Sequence, residues 1–264
     1  MTLKRLKKAL EAHDSEGTLA KINEFLVDRN TEGMQKKRSP SHAPSSLGSK
    51  CLRKIYYNYW KVTDRIPVTD KAARIFDTGN FLEEMIVSWC KGIGEHIPYI
   101  DPQTNEETED PQFPISFEEY RVRRGYIDNV GPSQGNLWLH EYKTSKAEKM
   151  KNLTSPMADH LIQGGIYLKA FNKALAEGQY KHIGALKDFK KAVGVKYFYI
   201  NKNTSEVKEF PIREASFSNT YKKLEEKLEE VNKFIDSEEL PPKTDDYCFF
   251  CPFRLKCQKE CNAL

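Results

Sequence analysis

Apolar residues recur at helical spacing in several long segments of the chain. They predict helices over about residues 1–30, over a segment that follows Ser45 and Ser46, and over 70–90, 156–178 and 216–237. The two serines are expected to cap the second helix, because their side-chain oxygens can accept hydrogen bonds from its first backbone N–H groups. Residues 31–46 are basic and rich in Ser and Pro, which predicts a linker or an extended arm.

Apolar and polar residues alternate in other segments, as they do in β-strands. The alternation predicts a strand over 117–123, a hairpin over 125–143 with its turn at 131–136, and a strand pair over 193–212; segments 95–115 and 144–156 are predicted loops. This order predicts an α/β fold with a mixed central β-sheet flanked by helices and an N-terminal helical extension. We expect residues 1–40 to form a helical arm and linker and residues 41–264 to form the main domain.

The predicted hairpin brings ionisable side chains together. Side chains alternate along a strand, so Glu141 and Lys143 share one face while Tyr142 points to the other. Asp128, on the preceding strand, can then approach Glu141. Two carboxylates beside a lysine suit Mg²⁺ or Mn²⁺ and a bound water or phosphate oxygen. A salt-bridged surface hairpin is the alternative interpretation.

Two helices carry further candidate residues. Gly79 lies inside the helix over 70–90 and is followed by Glu83 and Glu84, one of which is expected to face the hairpin carboxylates. In the helix over 156–178, Gln163 and Tyr167 are four residues apart and therefore share a face. His160 on the same helix is predicted to be an ordinary surface histidine rather than a phosphate ligand.

Composition adds limits to this picture. Of 264 residues, 39% are hydrophobic and 30% charged, which indicates a folded, soluble protein rather than a disordered one. No apolar run is long enough for a membrane span, and the N-terminus lacks the apolar core of a signal peptide. We therefore expect a cytoplasmic protein without a membrane partner. The net charge of +4 is compatible with nucleic acid but does not demand it.

Cysteines are concentrated at the C-terminal end. Of six cysteines, four are Cys248, Cys251, Cys257 and Cys261. In a reducing compartment this density indicates Zn²⁺ or an iron–sulfur cluster rather than disulfides. Cys248, Cys251 and Cys257 would supply three ligands, and the fourth could be Cys261 or the distant Cys51. Spacing alone does not decide between these two cysteines. Zn²⁺ is the default metal on general frequency. Cys90, within an apolar helix, is predicted to be a buried small side chain.

Taken together, these motifs resemble the RecB-like branch of the PD-(D/E)XK nuclease superfamily. More narrowly, they resemble its iron–sulfur members, such as CRISPR-associated single-strand exonucleases and the nuclease domains of AddB-type and eukaryotic helicase–nucleases. The resemblance covers about residues 45–260, with its pieces in the family's order. These pieces are the segment around Cys51, residues 79–84, residues 125–128, residues 141–143, the pair Gln163 and Tyr167, and the Cys-x2-Cys-x5-Cys motif at Cys248, Cys251 and Cys257. Glu83 stands where many relatives carry a metal-binding His, and Ile127 replaces the proline of the superfamily's name.

The resemblance implies a restriction-endonuclease-like core and roles for particular residues. The implied catalytic residues are Asp128, Glu141 and Lys143. The implied Mg²⁺ or Mn²⁺ ligands are Glu83, Asp128, Glu141 and the backbone carbonyl of Tyr142. Gln163 and Tyr167 would position the DNA strand. A [4Fe–4S] cluster would be held by Cys51, Cys248, Cys251 and Cys257; the alternative is Zn²⁺ with Cys261 in place of Cys51.

The resemblance also implies a function. We expect a metal-dependent DNA exonuclease acting on single strands or DNA ends, in recombination, repair or phage DNA processing, in the cytoplasm of a bacterial, archaeal or phage-infected cell. DNA is the expected partner, together with a separate helicase, recombinase or annealing protein, because the chain has no phosphate-binding P-loop motif. The alternatives are a nucleic-acid-binding adaptor with a degenerate nuclease site and an endonuclease that uses the same site.

Overall fold

The structure is a computed structural model that describes residues 17–35, 38–244 and 251–262. Residues 1–16 of the first predicted helix, Cys248 and the side chain of Cys261 lie outside the described residues. The chain divides into two compact units. The smaller comprises Met1–Arg38, Thr63–Asn80 and Phe249–Leu264, and the larger comprises Ser39–Val62 and Phe81–Cys248.

The smaller unit contains helices from distant parts of the sequence. Helix α1 spans Thr18–Gln35, and the Arg29 guanidinium donates hydrogen bonds to both carboxylate oxygens of Asp77, at 2.8 and 3.0 Å. The C-terminal segment contacts residues 65 and 66, where the Ile66 N–H donates to the Pro252 carbonyl at 2.7 Å and Arg65 stacks over the buried Phe253 ring.

The larger unit is built on a mixed four-stranded sheet in the order β3-β4-β5-β6. Its strands are β3 (Asn129–Ser133), β4 (Asn136–Ser145), β5 (Ala192–Asn201) and β6 (Val207–Arg213). Only β4 and β5 are parallel neighbours, and the other two pairs are antiparallel. Strands β1 (Phe113–Phe117) and β2 (Val122–Ile127) form a separate antiparallel pair.

Helices surround this sheet. They are α2 (Pro44–Leu47), α3 (Leu52–Tyr59), α4 (Asp70–Gly92), α5 (Ala147–Lys151), α6 (Ala158–Ala176) and α7 (Ser218–Asp236); helix α8 (Arg254–Asn262) belongs to the smaller unit. The predicted α/β fold, with a mixed central sheet flanked by helices and an N-terminal helical part, is confirmed. Among the described residues, no helix combines the length and apolar character needed to cross a bilayer.

Helix α6 lies tightly against one face of the sheet. A Cβ atom at Gly164 would collide with the Tyr197 hydroxyl, so the absent side chain permits this approach. The other face carries a small apolar cluster in which Ile86, Val87 and Cys90 of α4 pack against Tyr142. Both faces of β4 are therefore covered, and the predicted burial of Cys90 is confirmed.

The predicted strand over 117–123 is wrong. The chain passes through a short 3-10 helix, Glu118–Tyr120, and Arg121 has a left-handed φ of 52°, which ends β1 and redirects the chain into β2. The hairpin turn is also shorter than predicted. Only Gln134 and Gly135 form it, with φ values of 50° and 73°. Residues 131–133 pair within β3, an edge strand that tolerates Pro132.

The predicted capping of a helix by Ser45 and Ser46 is wrong as well. Two short helices, α2 and α3, replace the single expected one, and neither has a side-chain cap. The Ser46 hydroxyl instead donates to the Ala43 carbonyl at 2.8 Å. The linker predicted over 31–46 and the loop predicted over 144–156 are both shorter than expected, because α1 continues to residue 35 and α5 occupies part of the loop.

Candidate active site

Asp128 and Glu141 lie next to each other because of the strand register. Asn129 is opposite His140 at the start of the β3–β4 pair, and Asp128 immediately precedes it, at the bend between β2 and β3. The Asp128 carboxylate is buried and its Oδ2 accepts a hydrogen bond from the Tyr142 N–H at 2.7 Å. This bond fixes the carboxylate against the backbone of β4, between the positions of Glu141 and Lys143.

Glu141 is fully buried beside Lys143. Its Oε1 forms an ion pair with Nζ of Lys143, whose side chain retains 21% exposure. Within the described residues, neither carboxylate oxygen accepts a hydrogen bond of regular geometry. A buried carboxylate with spare acceptor capacity is costly unless a cation or a donor completes it.

Glu83 is the third acidic group of the site. It lies on α4, one turn before Ile86 and Val87, which pack into the apolar cluster on the other face of β4. It is partly buried, and the charges of Asp128 and Lys143 act on it. Its neighbour Glu84 is exposed, so Glu83 is the residue of this pair that faces the hairpin carboxylates.

The three carboxyl groups oppose one another's ionisation. Burial, reinforced by the Asp128 charge, raises the pKa of Glu141 to about 8 and that of Glu83 to about 7, although Lys143 works in the opposite direction. Burial also raises the pKa of Asp128. For Lys143, burial lowers the pKa, but Glu141 and Asp128 outweigh it and keep the ammonium protonated. Full ionisation of this cluster therefore calls for additional positive charge.

Gln163 and Tyr167 lie on the buried face of α6. Gln163 Nε2 donates to the Tyr167 hydroxyl at 3.0 Å, and both side chains are almost fully enclosed. Burial, with the charges of Glu141 and Asp128, raises the pKa of Tyr167 well above its usual value. The pair is thus close enough to the carboxylates to shape the site.

Two tyrosines without a local sequence signal lie near the site, and His160 contacts one of them. In the parallel register, Tyr197 is the partner of Glu141 and Tyr199 is the partner of Lys143. The Tyr197 hydroxyl is buried without a hydrogen-bond partner in the described residues. His160 Nδ1 lies 2.6 Å from the Tyr199 hydroxyl, and the histidine side chain is only 17% exposed. The prediction that His160 is an ordinary surface residue is therefore wrong.

A second polar group lies on the opposite face of β4. Asn129 connects His96 and His140 through contacts of 2.7 and 2.9 Å to their Nδ1 atoms. The Tyr142 hydroxyl lies 3.3 Å from His140 Nδ1 and 3.4 Å from the Cys90 sulfur. Burial lowers the pKa of His140 to about 3, so this group is neutral.

The donor chemistry of the acidic cluster fits a divalent metal ion. No three His, Cys, Asp or Glu side chains in the described ranges are arranged as a finished metal centre. However, the buried Glu141 oxygens accept no hydrogen bond of regular geometry in the part of the chain that the structure describes, and Asp128 and Glu83 bring further carboxylates into the same region. Oxygen donors of this kind are the ligands that Mg²⁺ and Mn²⁺ prefer.

The cysteines are only partly described. Cys51 is half-buried immediately before α3, and Cys251 is half-buried before α8. Cys257 lies on α8 and is 7% exposed. Because Cys248 lies outside the described residues, a site made from these cysteines stays a prediction.

Comparisons with known proteins give one family match. A family model described as the PD-(D/E)XK nuclease superfamily matches residues 62–258, a range that includes the acidic cluster and Lys143. A search of curated proteins gave no match. A solved structure described as the crystal structure of SSO0001 is 17% identical, with 90% of this chain and 96% of that chain covered and a TM-score of 0.49. A likeness of that size supports no conclusion about function.

Proposed function

This chain belongs to the PD-(D/E)XK nuclease superfamily, and we propose that it is a metal-dependent exonuclease that hydrolyses phosphodiester bonds in single-stranded DNA or at DNA ends. Superfamily membership indicates metal-dependent nuclease activity. The observation that carries the finer proposal is the buried pair of Asp128 and Glu141 beside Lys143, in which the Glu141 carboxylate forms an ion pair with Lys143 but accepts no hydrogen bond of regular geometry in the described residues. We place the chain in the RecB-like branch on the basis of its ordered motifs.

The proposed metal ligands are the carboxylates of Glu83, Asp128 and Glu141 and the backbone carbonyl of Tyr142. Mg²⁺ or Mn²⁺ held by such ligands lowers the pKa of a bound water and neutralises charge on a phosphate. The Tyr142 N–H holds the Asp128 carboxylate in one orientation, which reduces the rearrangement needed to bind an ion.

Lys143 would contact the scissile phosphate or the attacking water. Its ammonium stays protonated beside Glu141 and Asp128, so it is a donor and a positive charge at every physiological pH. Such a preorganised charge stabilises the negative charge that develops on phosphate oxygens during hydrolysis. Gln163 and Tyr167 would hold the strand near these groups from α6.

A cleavage assay on labelled DNA tests the proposal. Linear single-stranded, linear double-stranded, end-blocked and circular single-stranded substrates are incubated with Mg²⁺ or Mn²⁺ and wild type, Asp128→Ala or Lys143→Ala. Glu84→Gln is the matched control, because Glu84 is an exposed acidic residue next to Glu83. We expect metal-dependent degradation from free ends by wild type and the control only. Equal inertness of wild type and both variants on every substrate would refute the enzyme proposal.

Two alternative activities share this site and are outcomes of the same assay. Glu83, in the place where many relatives carry His, motivates an adaptor that binds nucleic acid through a degenerate site. Wild type that binds DNA but never cuts it would support that adaptor. Cleavage of the circular substrate would instead establish an endonuclease.

We also propose a [4Fe–4S] cluster held by Cys51, Cys248, Cys251 and Cys257. The support is the Cys-x2-Cys-x5-Cys spacing of the last three and the burial of Cys257. Anaerobically purified protein should be brown and contain iron and sulfide. Cys51→Ser should lose the cluster, whereas Cys261→Ser should keep it. Colourless protein with stoichiometric zinc, lost in Cys261→Ser, would establish the zinc alternative.

The biological setting is a further proposal. We propose that the enzyme acts in the cytoplasm in recombination, repair or phage DNA processing, where a separate helicase, recombinase or annealing protein supplies or receives the processed strand. Faster degradation of double-stranded ends after addition of a helicase from the same cell would support this arrangement. An unchanged rate with helicases that open the same ends would contradict it.

A further inference from the structure

The contact of His160 with Tyr199 bears on which ring nitrogen carries the hydrogen. The Met157 N–H donates to the Tyr199 hydroxyl oxygen at 3.0 Å, so this oxygen already accepts one hydrogen bond. His160 Nδ1 lies 2.6 Å from the same oxygen and is the acceptor available for the phenolic hydrogen. We assign the tautomer in which the Tyr199 hydroxyl donates to Nδ1, and in this tautomer the single ring hydrogen of a neutral His160 sits on Nε2.

The histidine remains neutral over the physiological range. Burial lowers the pKa of His160 to about 4, and Lys143 and Lys149 act in the same direction, while Asp159 opposes them. Within the described residues, Nε2 makes no hydrogen bond. The nearest carboxylate oxygen, Asp159 Oδ2, is 3.9 Å away, which is too far for one.

His160 is also held next to the candidate active site. Tyr199 is the strand partner of Lys143, so the residue that orients His160 stands directly beside the lysine proposed to contact phosphate. The charge of Lys143 reaches both His160 and Tyr199. An unused N–H donor thus lies near a lysine on the same face of the sheet.

The start of α6, which carries His160, packs closely against the α2 segment. A Cβ atom at Gly48 would come within 2.6 Å of the Asp159 Cβ and 2.8 Å of its Cα, so the α2 segment approaches α6 as closely as glycine permits. Lys227 holds that segment through hydrogen bonds to the Leu47 and Ser49 carbonyls, at 3.2 and 3.0 Å.

We propose that His160 binds a backbone phosphate of the DNA strand through its Nε2–H, next to the phosphate at Lys143, and that Tyr199 is its positioning residue. This inference rests on the proposed function, since it assigns a second phosphate contact to the same site. A neutral donor on a rigid element suits a non-bridging phosphate oxygen, because it adds a directed hydrogen bond without adding charge. It would fix the register of the strand rather than read its bases.

Binding measurements with modified DNA test this contact. Dissociation constants are measured in Ca²⁺ for a labelled single-stranded oligonucleotide, with its integrity checked, and for a series that carries one neutral methylphosphonate at each position in turn. The proteins are wild type, His160→Ala, His160→Gln and Tyr199→Phe. His160→Gln keeps an N–H donor near the place of Nε2 and serves as the conservative control.

We expect His160→Ala to weaken binding of unmodified DNA by roughly 10-fold or more, the scale of a hydrogen bond to a charged group, and His160→Gln to recover part of the loss. At one phosphate position, the methylphosphonate should weaken DNA binding by wild type but not by His160→Ala. This difference is the coupling between His160 and that phosphate, and it should be smaller in Tyr199→Phe. A purely structural role would lower affinity equally at all positions. If the losses of affinity caused by His160→Ala and by the methylphosphonate are additive at every position, the inference is overturned.

Salt dependence gives a second readout. A neutral His160 releases no counterion, so the slope of log Kd against log salt should be the same for wild type and His160→Ala. A slope smaller by about 0.7 in the variant would show a cationic contact and contradict the neutral state of His160.

The outcomes separate this inference from the proposed function. Wild type that shows the coupling but cuts no DNA with Mg²⁺ or Mn²⁺ would refute the exonuclease and leave the phosphate contact standing. Wild type that cuts DNA without any coupling would refute the contact alone. Wild type that binds no DNA would refute both.

Discussion

The two faces of β4 differ sharply although their residues alternate along one strand. Glu141 and Lys143 face α6 and carry buried charge. His140 and Tyr142 face α4 and belong to a neutral polar group. The Nε2 atoms of His96 and His140 are buried without a hydrogen-bond partner in the described residues. Buried atoms without hydrogen bonds therefore occur on both faces of β4 and do not distinguish one face from the other.

Charge is what separates the two faces. A neutral buried group that lacks one hydrogen bond lowers the free energy of unfolding by a modest amount. Buried carboxyl groups that lie close together raise one another's pKa values and so resist ionisation. The face with His140 and Tyr142 therefore supports the strand. On the face with Glu141, a bound cation would favour ionisation of the carboxyl groups, and a cation that binds only the folded protein would raise its stability.

The largest effect is expected from Asp128→Asn. The amide oxygen can still accept the Tyr142 N–H, but the negative charge is gone, so DNA cleavage should fall by about 10³-fold, the equivalent of several kcal/mol of transition-state stabilisation. Initial rates on labelled DNA with Mg²⁺ measure this, with Glu84→Gln as control. Cleavage within a few-fold of wild type would remove Asp128 from the mechanism.

The second expected effect is a pH dependence of stability in metal-free protein. The Glu141 carboxyl has an ordinary pKa of 4.5 and a folded-state pKa of about 8, so the folded protein binds its proton more readily than the unfolded chain. Its contribution to stability is complete below 4.5 and is lost as the pH rises towards 8. Melting temperatures in EDTA should therefore decline across this window.

The matched variant for that decline is Glu141→Gln, which cannot ionise. It should melt at a higher temperature than wild type at the alkaline end and depend less on pH. Glu83, with a pKa raised to about 7, acts in the same direction, so some dependence should remain. Identical melting curves for Glu141→Gln and wild type across the range would contradict the assigned burial of charge.

A smaller effect is expected at the contact between α6 and the sheet. Gly164→Ala places a methyl group against the Tyr197 hydroxyl and should lower the free energy of unfolding by about 1–3 kcal/mol. Tyr197→Phe removes that hydroxyl and should restore part of the loss in the double variant. Denaturant unfolding measures both, and a fully additive double variant would show that the close contact is not the cause.

The smallest effect is expected on the other face of β4. Tyr142→Phe removes the hydroxyl contacts to His140 and Cys90 and should lower the free energy of unfolding by about 1 kcal/mol. The backbone of residue 142 is unchanged, so cleavage should stay within a few-fold of wild type. A loss of cleavage as large as that in Asp128→Asn would mean that the two faces are not functionally separate.

Local sequence patterns were sufficient for the elements whose signal is local. The pairing of residues 129–133 with β4 and the long helices α4, α6 and α7 follow from periodicity, whereas the break at Asp128, before which β2 pairs with β1 instead, does not. The turn predicted over 131–136 is too long, because Gly, Pro and Ser at 131–133 are also turn formers and strand pairing overrides that preference.

Residues brought together by distant strand pairing could not be predicted. Tyr197 and Tyr199 join the site through the parallel β4–β5 register, which links positions more than fifty residues apart. His160 has no sequence feature that reveals its contact with Tyr199. The neutral group around Asn129 could not be predicted either, because its members come from α4, β3, β4 and the segment after α4.

The most direct test of the charged face is a calorimetric titration of Mn²⁺ into wild type, Asp128→Asn and Glu141→Gln in buffers of different ionisation enthalpy. The acidic cluster predicts binding by wild type with release of protons, because carboxyl groups of raised pKa must ionise to accept the metal. It predicts at least tenfold weaker binding by both variants. Binding of equal strength in all three proteins, or none by wild type, would contradict the assignment of Asp128 and Glu141 as metal ligands.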